Sequence, residues 1–404
     1  MRICCLAAQT VAHVVGGMAR QTNDLAADLA RLGHDVTLLT TAHPDGREQD
    51  TVDGVAVHYL RETMPAGQTK AWWRESARAF HSLQQASPID VVWSQSVAGA
   101  AVARALARGG PAFIPIIHGT GPEMGGSIVS ALRRARARPP VVTSLRRLAR
   151  HLLNFSGVDR AVYRRADVVI TVSETVAASV RRWYRVPPAR IAVVGNAIDP
   201  ETFRPMPHRR ALLRAKWGVG PDETVLLTVG VLSDQKGVDI AIEALARLRA
   251  GGRLAHLVVV GDGPFRPELE RLVRERGVWD AVTFTGALAN EDAAACYGAA
   301  DVFVFPTLRV EAFGVVTIEA MAAERPVVVS RIGATPEIVD DGETGFLVPP
   351  GDVDALVARV AQLSEDPARA AAMGQRGRAR VLAQWTREAR ARRIVEVFET
   401  VIPR

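Results

Sequence analysis

Residues 300–321 of this chain read ADVFVFPTLRVEAFGVVTIEAM. The apolar run Val302–Phe305 is short, a loop that contains Glu311 follows it, and a helical pattern then continues to Met321. Short apolar runs are typical of strands that are buried on both faces of a parallel sheet, and a helix after such a run is typical of a βα unit. The stretch therefore predicts a buried strand, a loop and a helix in succession.

Apolar runs alternate with helical patterns along the whole chain. One such pattern, Met18–Leu32, has its leucines on one stripe and is ended by Gly33. The alternation predicts an α/β protein with doubly wound parallel sheets. The runs are Ile3–Ala8, Val36–Thr40, Val55–Leu60, Val91–Trp93, Phe113–Ile117, Val168–Val172 and Ile191–Val194, then Val225–Val229, Leu257–Val260, Val282–Thr285, Val302–Phe305 and Val327–Val329.

A polar stretch with three prolines interrupts this alternation at residues 196–210. Its sequence, NAIDPETFRPMPHRR, is typical of an interdomain linker. A chain of 404 residues is long enough for two cored domains. We predict two facing Rossmann-like domains, residues 1–198 and 199–385, with a ligand cleft between them. Residues 386–404 are predicted to form a C-terminal helix, for which packing back on the N-terminal domain is one arrangement.

The composition limits the classes of ligand and the cellular compartment that we expect for this chain. The formal charge of +7 comes almost entirely from arginine, since only Lys70, Lys216 and Lys236 are lysines. This balance favours anionic ligands weakly and does not indicate nucleic acid. The three cysteines cannot form a disulfide framework, and no apolar run approaches the roughly 18–20 residues that cross a bilayer. We therefore expect a reduced, cytoplasmic protein.

Two acids flank the predicted helix start. Glu311 precedes a Phe-Gly turn, and Glu319 lies eight residues further on. If all eight steps were helical, the two Cα atoms would be roughly 12 Å apart. Glycosidase acid pairs are about 5 Å or about 6.5–9.5 Å apart, so a hydrolytic pair is disfavoured. A helix start binds anions and carboxylates accept hydrogen bonds from hydroxyls, so the pair suits a phosphorylated sugar ligand. The alternative is an exposed Glu at a helix start and a second Glu on a solvated helix face.

Three further positions carry chemistry that fits such a ligand. Gly16 and Gly17 lie between the first strand and the first helix, where backbone can approach an anion closely; a tight turn is the alternative. His118 follows the run FIPII and is expected at the carboxyl end of a strand, where an imidazole could bind a sugar hydroxyl; a structural or merely exposed histidine is the alternative. Lys236, after a strand and a turn, could neutralise phosphate charge. Motifs typical of a metal site, a P-loop or a serine hydrolase do not occur, so no metal and no cofactor are predicted.

A basic segment, Leu132–Arg165, stands apart from these motifs. It contains ten arginines, and LRRLARHLL places Leu145, Leu148 and Leu152 on one helical face. A basic amphipathic helix can lie on an anionic membrane surface, and an ordinary exposed helix in an arginine-rich protein is the alternative. The segment leaves peripheral membrane contact open.

With these residues identified, the chain resembles the retaining glycosyltransferases of family 4, which have the GT-B fold. The resemblance covers nearly the whole length, and the order and spacing of its motifs make it specific. They are GGMARQTNDLAADLARLGHDVTLLT, IIHG, ADVVITVSE, VGNAIDPETF, VGVLSDQKG, VVVGDGP, VTFTGAL, ADVFVFPT, EAFGVVTIEAM and PVVVSRIGATPEIVDDGETGFLVPPGD.

The resemblance implies a metal-independent transfer of a sugar, with retention, from a nucleotide-diphospho-sugar to a small-molecule, glycan or lipid-linked acceptor. The C-terminal domain would bind the donor and the N-terminal domain the acceptor. It implies that Glu319 binds ribose, that Glu311 binds the sugar's hydroxyls, and that Lys236 stabilises the departing diphosphate. It further implies that the backbone of Phe313, Gly314 and Val315 contacts the diphosphate and the sugar, and that Gly230 lies in the donor site. Gly16 and Gly17 would contact the phosphates, and His118 would contact the donor sugar.

The chain departs from the family pattern at three places. The family usually has an arginine directly after the glycine of the turn before the lysine, whereas Gly230 is followed here by Val231. Either Lys236 suffices, or an arginine such as Arg309 or Arg331 substitutes, or activity is reduced or altered. The family's Gly-Gly reads Gly333-Ala334, which should slightly restrict the backbone. A glycine before PVVVS is replaced by Glu324-Arg325, which should alter only a turn.

Two other functions remain open on the sequence alone. One keeps the fold and changes the reaction, to a sugar-nucleotide epimerase or a phosphorylase. The other is a non-catalytic protein that binds anions or a membrane surface, which Val231 and the arginine segment would suit.

Overall fold

The computed structural model describes residues 1–14, 16–106, 109–121 and 157–402. Its described residues divide into two compact units. Of the described residues, those up to 197 and those from 387 onward belong to the first unit, and residues 198–386 form the second unit. Each unit is built on its own sheet.

The sheet of the first unit is parallel except at one edge. Its strand order is β3-β4-β2-β1-β5-β6-β7-β8, and only the pairing of β3 with β4 is antiparallel. The central strands are buried on both faces, as expected where helices cover a parallel sheet. The strands are β1 (Arg2–Leu6), β2 (Asp35–Thr41), β3 (Gln49–Val52), β4 (Val55–Leu60), β5 (Val91–Gln95), β6 (Ala112–Ile117), β7 (Val169–Thr171) and β8 (Ile191–Val193).

The sheet of the second unit is parallel throughout. Its strand order is β11-β10-β9-β12-β13-β14, which is the doubly wound order 3-2-1-4-5-6. The strands are β9 (Thr224–Val229), β10 (Ala255–Val260), β11 (Val282–Gly286), β12 (Val302–Phe305), β13 (Val327–Ser330) and β14 (Gly345–Val348).

Helices connect the strands of both sheets. In the described residues they are α1 (Gly17–Arg31), α2 (Lys70–Ala86), α3 (Ala100–Ala105), α4 (Val158–Arg165), α5 (Glu174–Tyr184), α6 (Pro207–Lys216), α7 (Val238–Ala250), α8 (Arg266–Glu275), α9 (Asn290–Ala299), α10 (Val315–Ala322), α11 (Thr335–Ile338), α12 (Val353–Glu365), α13 (Pro367–Gln384) and α14 (Arg387–Glu399). The stretch predicted as a linker ends in the first turn of α6, because Pro207 is well suited to the first helical position.

The core of the second unit lies where α7 and α12 cover the sheet. Leu245 of α7 and Leu356 of α12 are almost fully buried in one cluster with Leu226, Leu257 and Val304 of the strands. Complete burial of one such side chain contributes roughly 1.5–3 kcal/mol. Packing of this kind fixes the strands, and with them the loops at their carboxyl ends.

Helix α14, the last in the chain, belongs to the first unit and packs on α1. Arg387 donates to the Asp28 carboxylate over 2.8 Å, and that carboxylate is only 5% exposed. Arg390 is buried and donates to the side-chain oxygen of Gln21. Ile394 and Phe398 add apolar contact area on the same side of the helix.

Each sheet has one point where the chain reverses its direction of strand addition. In the second unit it lies between β9 and β12, and in the first between β1 and β5. In open α/β sheets ligands bind beyond the carboxyl ends of the strands at this point. A ligand-binding site of the second unit is therefore expected at the loops that follow β9 and β12.

Candidate functional site

The loops after β9 and β12 lie side by side at the reversal point of the second sheet. The backbone N–H of Leu308 donates to the Gln235 carbonyl oxygen over 2.9 Å. Gly237 has a φ of +70°, and a Cβ atom there would lie 2.0 Å from the carbonyl oxygen of Pro306. Glycine at residue 237 is thus required both by its backbone conformation and by the close approach of the two loops.

An ion pair joins the two loops. The Lys236 ammonium donates to Glu311 Oε1 over 2.7 Å, and the two side chains are 22% and 13% exposed. The Thr307 hydroxyl is 3.2 Å from the same oxygen, and the Phe305 ring centroid lies 5.1 Å from the ammonium. Within the described residues, Glu311 Oε2 has no partner, so this oxygen can accept a hydrogen bond from a ligand hydroxyl.

The backbone of Glu311 is fixed from the other side by a turn at Gly333. Gly333 has a φ of +60°, and its Cβ would lie 2.3 Å from the carbonyl oxygen of Glu311. The Ala334 N–H donates to that same oxygen over 2.9 Å. Ala334 itself has a φ of −84°, which any L-residue adopts, so the restriction expected from alanine does not occur here.

Helix α10 begins directly after this loop. Its N-cap, Gly314, has a φ of +102° and provides no side chain to cap the helix. Free backbone N–H groups at a helix start attract an anion. The Phe313 side chain is 6% exposed and packs edge-on against Trp385, so Phe313 presents its backbone to the site. Val315 is the first helical residue.

Glu319 faces inward from the second turn of α10. It is 7% exposed, and the Tyr297 hydroxyl of α9 donates to its Oε2 over 2.7 Å. Tyr297 is fully buried, so this contact fixes the orientation of the carboxylate. Sequence reasoning missed Tyr297 and Thr307 because nothing in the sequence marks either hydroxyl as the partner of a glutamate.

The turn after β9 is open at the residue where the family usually has arginine. Gly230 has a φ of +150°, and a Cβ there would meet nothing within 4 Å. The Val231 side chain is 59% exposed. Of the two arginines named as substitutes, Arg331 is paired with Asp341, whereas Arg309 is exposed in the same loop as Glu311 and makes no ion pair within the described residues. Arg309 is therefore the better placed cation.

Gly16, Gly17 and His118 belong to the first unit. A Cβ atom at Gly16 or Gly17 would meet nothing within 4 Å, and the φ of −171° at Gly16 is extended backbone. Packing among the described residues therefore does not require glycine there. Helix α1 begins at Gly17 without a side-chain cap. Glycine at both residues would be required if a ligand approached their backbone closely.

His118 follows the carboxyl end of β6, as the sequence predicts. Burial and the positive charge of Arg390 lower the pKa of its imidazole from 6.5 to about 4. The ring is therefore neutral at physiological pH. It shares a small cavity with Gln21, Gln95 and Arg390 on the side of the sheet that α1 and α14 cover.

The described residues contain no group of three or more His, Cys, Asp or Glu side chains arranged to hold a metal ion. They also contain no helix long and apolar enough to cross a membrane. Residues 132–156 of the basic segment lie outside the described part of the chain, and residues 158–165 form α4.

Comparisons with known proteins agree with this architecture. The family model described as "Glycosyl transferases group 1" matches residues 209–380, and "Glycosyltransferase Family 4" matches residues 15–202. A GDP-mannose-dependent alpha-(1-6)-phosphatidylinositol monomannoside mannosyltransferase of Mycolicibacterium smegmatis is 34% identical over 316 residues, which are 77% of this chain and 76% of that protein. The MMP alpha-(1->4)-mannosyltransferase of Mycolicibacterium hassiacum is 27% identical over 433 residues, which cover 100% of this chain and 99% of that protein.

A solved structure extends the agreement to the fold. Sucrose-phosphate synthase from Thermosynechococcus elongatus superimposes with a TM-score of 0.81 at 25% identity, over 99% of this chain and 98% of that chain. The two doubly wound sheets and this match make the chain a GT-B glycosyltransferase. The chain belongs to glycosyltransferase family 4.

Proposed function

We propose that this glycosyltransferase transfers a hexose from a nucleotide-diphospho-sugar to an acceptor hydroxyl, with retention of anomeric configuration and without a metal ion. The observation that carries the proposal is the ion pair of Lys236 with Glu311, which lies beside the uncapped start of α10 at the reversal point of the second sheet. A cation and free N–H groups suit a diphosphate, and the free oxygen of Glu311 suits a sugar hydroxyl.

In this proposal, each of the site residues in the second unit has a distinct role. Lys236 stabilises the negative charge that develops on the departing diphosphate, which is the kind of electrostatic contribution that dominates many active sites. The Gly314–Val315 backbone donates to phosphate oxygens. Glu319 accepts from the ribose hydroxyls, and Tyr297 holds it in position. Glu311 is engaged by Lys236, which suits a hydroxyl binder and not an acid or base.

The first donor to test is GDP-mannose, since the relatives from Mycolicibacterium smegmatis and Mycolicibacterium hassiacum are mannosyltransferases. We propose a cytoplasmic location because Cys4, Cys5 and Cys296 are all unpaired. The acceptor is proposed to be a small molecule, a glycan or a lipid-linked sugar. The roles of Gly16, Gly17 and His118 toward donor phosphates and sugar stay predictions.

The test begins with thermal unfolding in the presence of GDP-mannose, UDP-glucose and other nucleotide-diphospho-sugars, because a ligand that binds only the folded state raises its apparent stability. The stabilising donor is then incubated with candidate acceptors and a chelator, and NMR of the product gives the anomeric configuration. Inversion, or loss of turnover with the chelator, would contradict the corresponding part of the proposal. Isomerisation or phosphorolysis of the donor without an acceptor would favour the epimerase or phosphorylase alternative.

Lysine variants make the test specific to the site. We expect Lys236→Gln to lower turnover by about 100-fold, the usual effect of removing one charge-stabilising donor. Lys216→Gln is the matched control, because Lys216 is an exposed lysine at the end of α6 in the same unit. Equal turnover in both variants and in the unmodified protein would refute the role of Lys236.

A further inference from the structure

A second pocket lies on the first unit, away from the residues considered so far. It has a volume of about 570 Å³ and is formed by the ends of α4 and α5 and by the segment that leads into β8. Its lining contains five arginines and no acid. We call it the arginine pocket, and its arginines are Arg160, Arg164, Arg182, Arg185 and Arg190.

The arginine pocket lies at the amino ends of the strands. Helix α4 ends at Arg165, shortly before β7 begins, and the turn Pro188–Arg190 leads directly into β8. Gly17 and His118, in contrast, follow the carboxyl ends of β1 and β6. The two edges of a parallel sheet are opposite each other, so the pocket is separate from the edge where this unit is expected to contact its sugar substrates.

Positive charge is concentrated around the pocket. Residues 157–190 contain seven arginines and three acids, a net charge of +4 in a chain whose total is +7. Asp159 accepts from Tyr184, Asp167 accepts from Arg165, and Glu174 lies 3.7 Å from Arg181. Arg164 and Arg185 form no ion pair within the described residues. No ion pair among the described residues therefore neutralises the charges of these two guanidinium groups.

Arginines near helix ends often only bind the last carbonyl groups of the helix. Arg190 does so here, since it donates to the carbonyl oxygens of Tyr163 and Ala166 at the end of α4. The side chains of Arg164 and Arg185 donate to no carbonyl within the described residues, and both are exposed. Helix capping accounts for Arg190 but leaves the donors of Arg164 and Arg185 unexplained.

An exposed aromatic side chain accompanies the arginines. Trp183 is 44% exposed, and the Arg182 guanidinium lies 5.1 Å from the centroid of its ring. Tryptophan and arginine side by side present an apolar surface next to a planar cation, a combination that suits a ligand with both a phosphate and a carbon skeleton.

We propose that the arginine pocket is a phosphate-binding site, which takes a phosphate ester carried either by a lipid headgroup or by a soluble compound. The planar fork of a guanidinium group matches two phosphate oxygens at once. Pockets of about 300–1,000 Å³ are the usual size for small ligands, so one headgroup or sugar phosphate fits. Because the pocket lies at the amino edge, its occupant leaves the carboxyl edge of the same unit open.

The test compares two double variants of the full chain. Arg164→Gln with Arg185→Gln removes two exposed arginines of the pocket. Arg392→Gln with Arg393→Gln removes the same charge from the exposed face of α14 in the same unit, where these side chains are 67% and 62% exposed. Circular dichroism and thermal unfolding establish that both variants are folded.

Two probes distinguish the sources of the phosphate. One is vesicles of phosphatidylcholine, with and without an equal part of phosphatidylinositol; the other is glycerol 3-phosphate, followed by calorimetry. We expect the pocket variant to lose roughly 30-fold in affinity, because each arginine near an anionic surface contributes about 1 kcal/mol. The control variant should bind like the unmodified chain.

The two probes assign the phosphate to different sources. Binding that requires phosphatidylinositol and the pocket arginines assigns a lipid headgroup, and binding of glycerol 3-phosphate that requires the same arginines assigns a soluble ester. The proposal is overturned if the unmodified chain binds neither probe, if the pocket variant binds as well as the unmodified chain, or if the control variant loses as much affinity. Donor binding at Lys236 is measured separately and does not enter any of these outcomes.

Discussion

The Lys236 ammonium is the cation of the glycine turn after β9, and Glu311 already engages it. A diphosphate brings further negative charge to the same lysine, while residue 231 supplies a valine where family members usually supply an arginine. Val231 is exposed, and its turn has free space around Gly230. An arginine side chain can therefore be introduced at residue 231 without displacing other residues.

We expect Val231→Arg to lower the KM for the donor by about tenfold, since a hydrogen bond to a charged group contributes roughly 1.5–3 kcal/mol. Steady-state kinetics with the donor identified by thermal shift gives the measurement. Val231→Gln is the control for side-chain length without charge. An unchanged KM in Val231→Arg would mean that Arg309 already supplies the second cation, and Arg309→Gln would then raise the KM.

In the proposed site, Tyr297 is a positioning residue for Glu319. Tyr297→Phe removes one hydroxyl and leaves the ring in its buried place, so the KM for the donor should rise by about 5-fold, from roughly 1 kcal/mol for one hydrogen bond. The value of kcat should change less, because ribose binding is the same before and during the reaction. Tyr59→Phe, at a tyrosine 7% exposed in the other unit, is the control. A change confined to kcat would contradict this role.

At the scale of single elements, Glu324 strains the end of helix α10. Helix α10 ends in a Schellman motif: the Glu324 N–H donates to the Met321 carbonyl oxygen, and the Arg325 N–H donates to that of Ala320. The residue after the cap must then be left-handed, and Glu324 has a φ of +59°. Substitution of glycine by glutamate therefore does more than alter a turn, because it places a side chain in a conformation that favours glycine.

We expect Glu324→Gly to stabilise the protein by up to about 1 kcal/mol, since glycine relieves the left-handed strain. The long contact of Glu324 with Arg378, 4.0 Å, contributes little. Chemical unfolding measures the change. Ala323→Gly, one residue earlier at a φ of −79°, should instead destabilise the protein; the same sign for both variants would argue against the conformational explanation.

Some elements could be predicted from the sequence and others could not. Apolar runs located the central strands because burial on both faces leaves an uninterrupted pattern. Gly33 ended α1 as predicted, with a φ of +88°. Strand β3, QDTV, was missed because an exposed edge strand carries no such pattern. Glu311 and Glu319 were found through a motif, whereas Tyr297 is distant in sequence and reaches Glu319 only through tertiary packing.

At the scale of the whole molecule, the partly buried imidazole of His118 links folding to pH. Its folded pKa of about 4 lies below the unfolded value of 6.5 because of burial and Arg390. As the pH falls from 6.5 toward 4, the unfolded chain binds a proton that the folded chain does not. Stability present above pH 6.5 is therefore lost in that window, by at most about 3 kcal/mol.

We expect His118→Asn to weaken this loss of stability between pH 7 and pH 4.5 by roughly 2 kcal/mol. Unfolding by urea at a series of pH values measures it. His81→Asn is the control, because His81 lies on the exposed face of α2. If the unmodified chain and His118→Asn show the same dependence on pH, His118 does not titrate as its surroundings imply.

The return of α14 to the first unit has a consequence for how the chain is made. Asp28 and Gln21 leave the ribosome long before Arg387 and Arg390, which follow them by 359 and 369 residues. The second unit, residues 198–386, is complete before those partners emerge. The first unit therefore completes its core only after the second unit has been synthesised, and until then Asp28 of α1 has Arg31 as a partner but neither Arg387 nor Arg390.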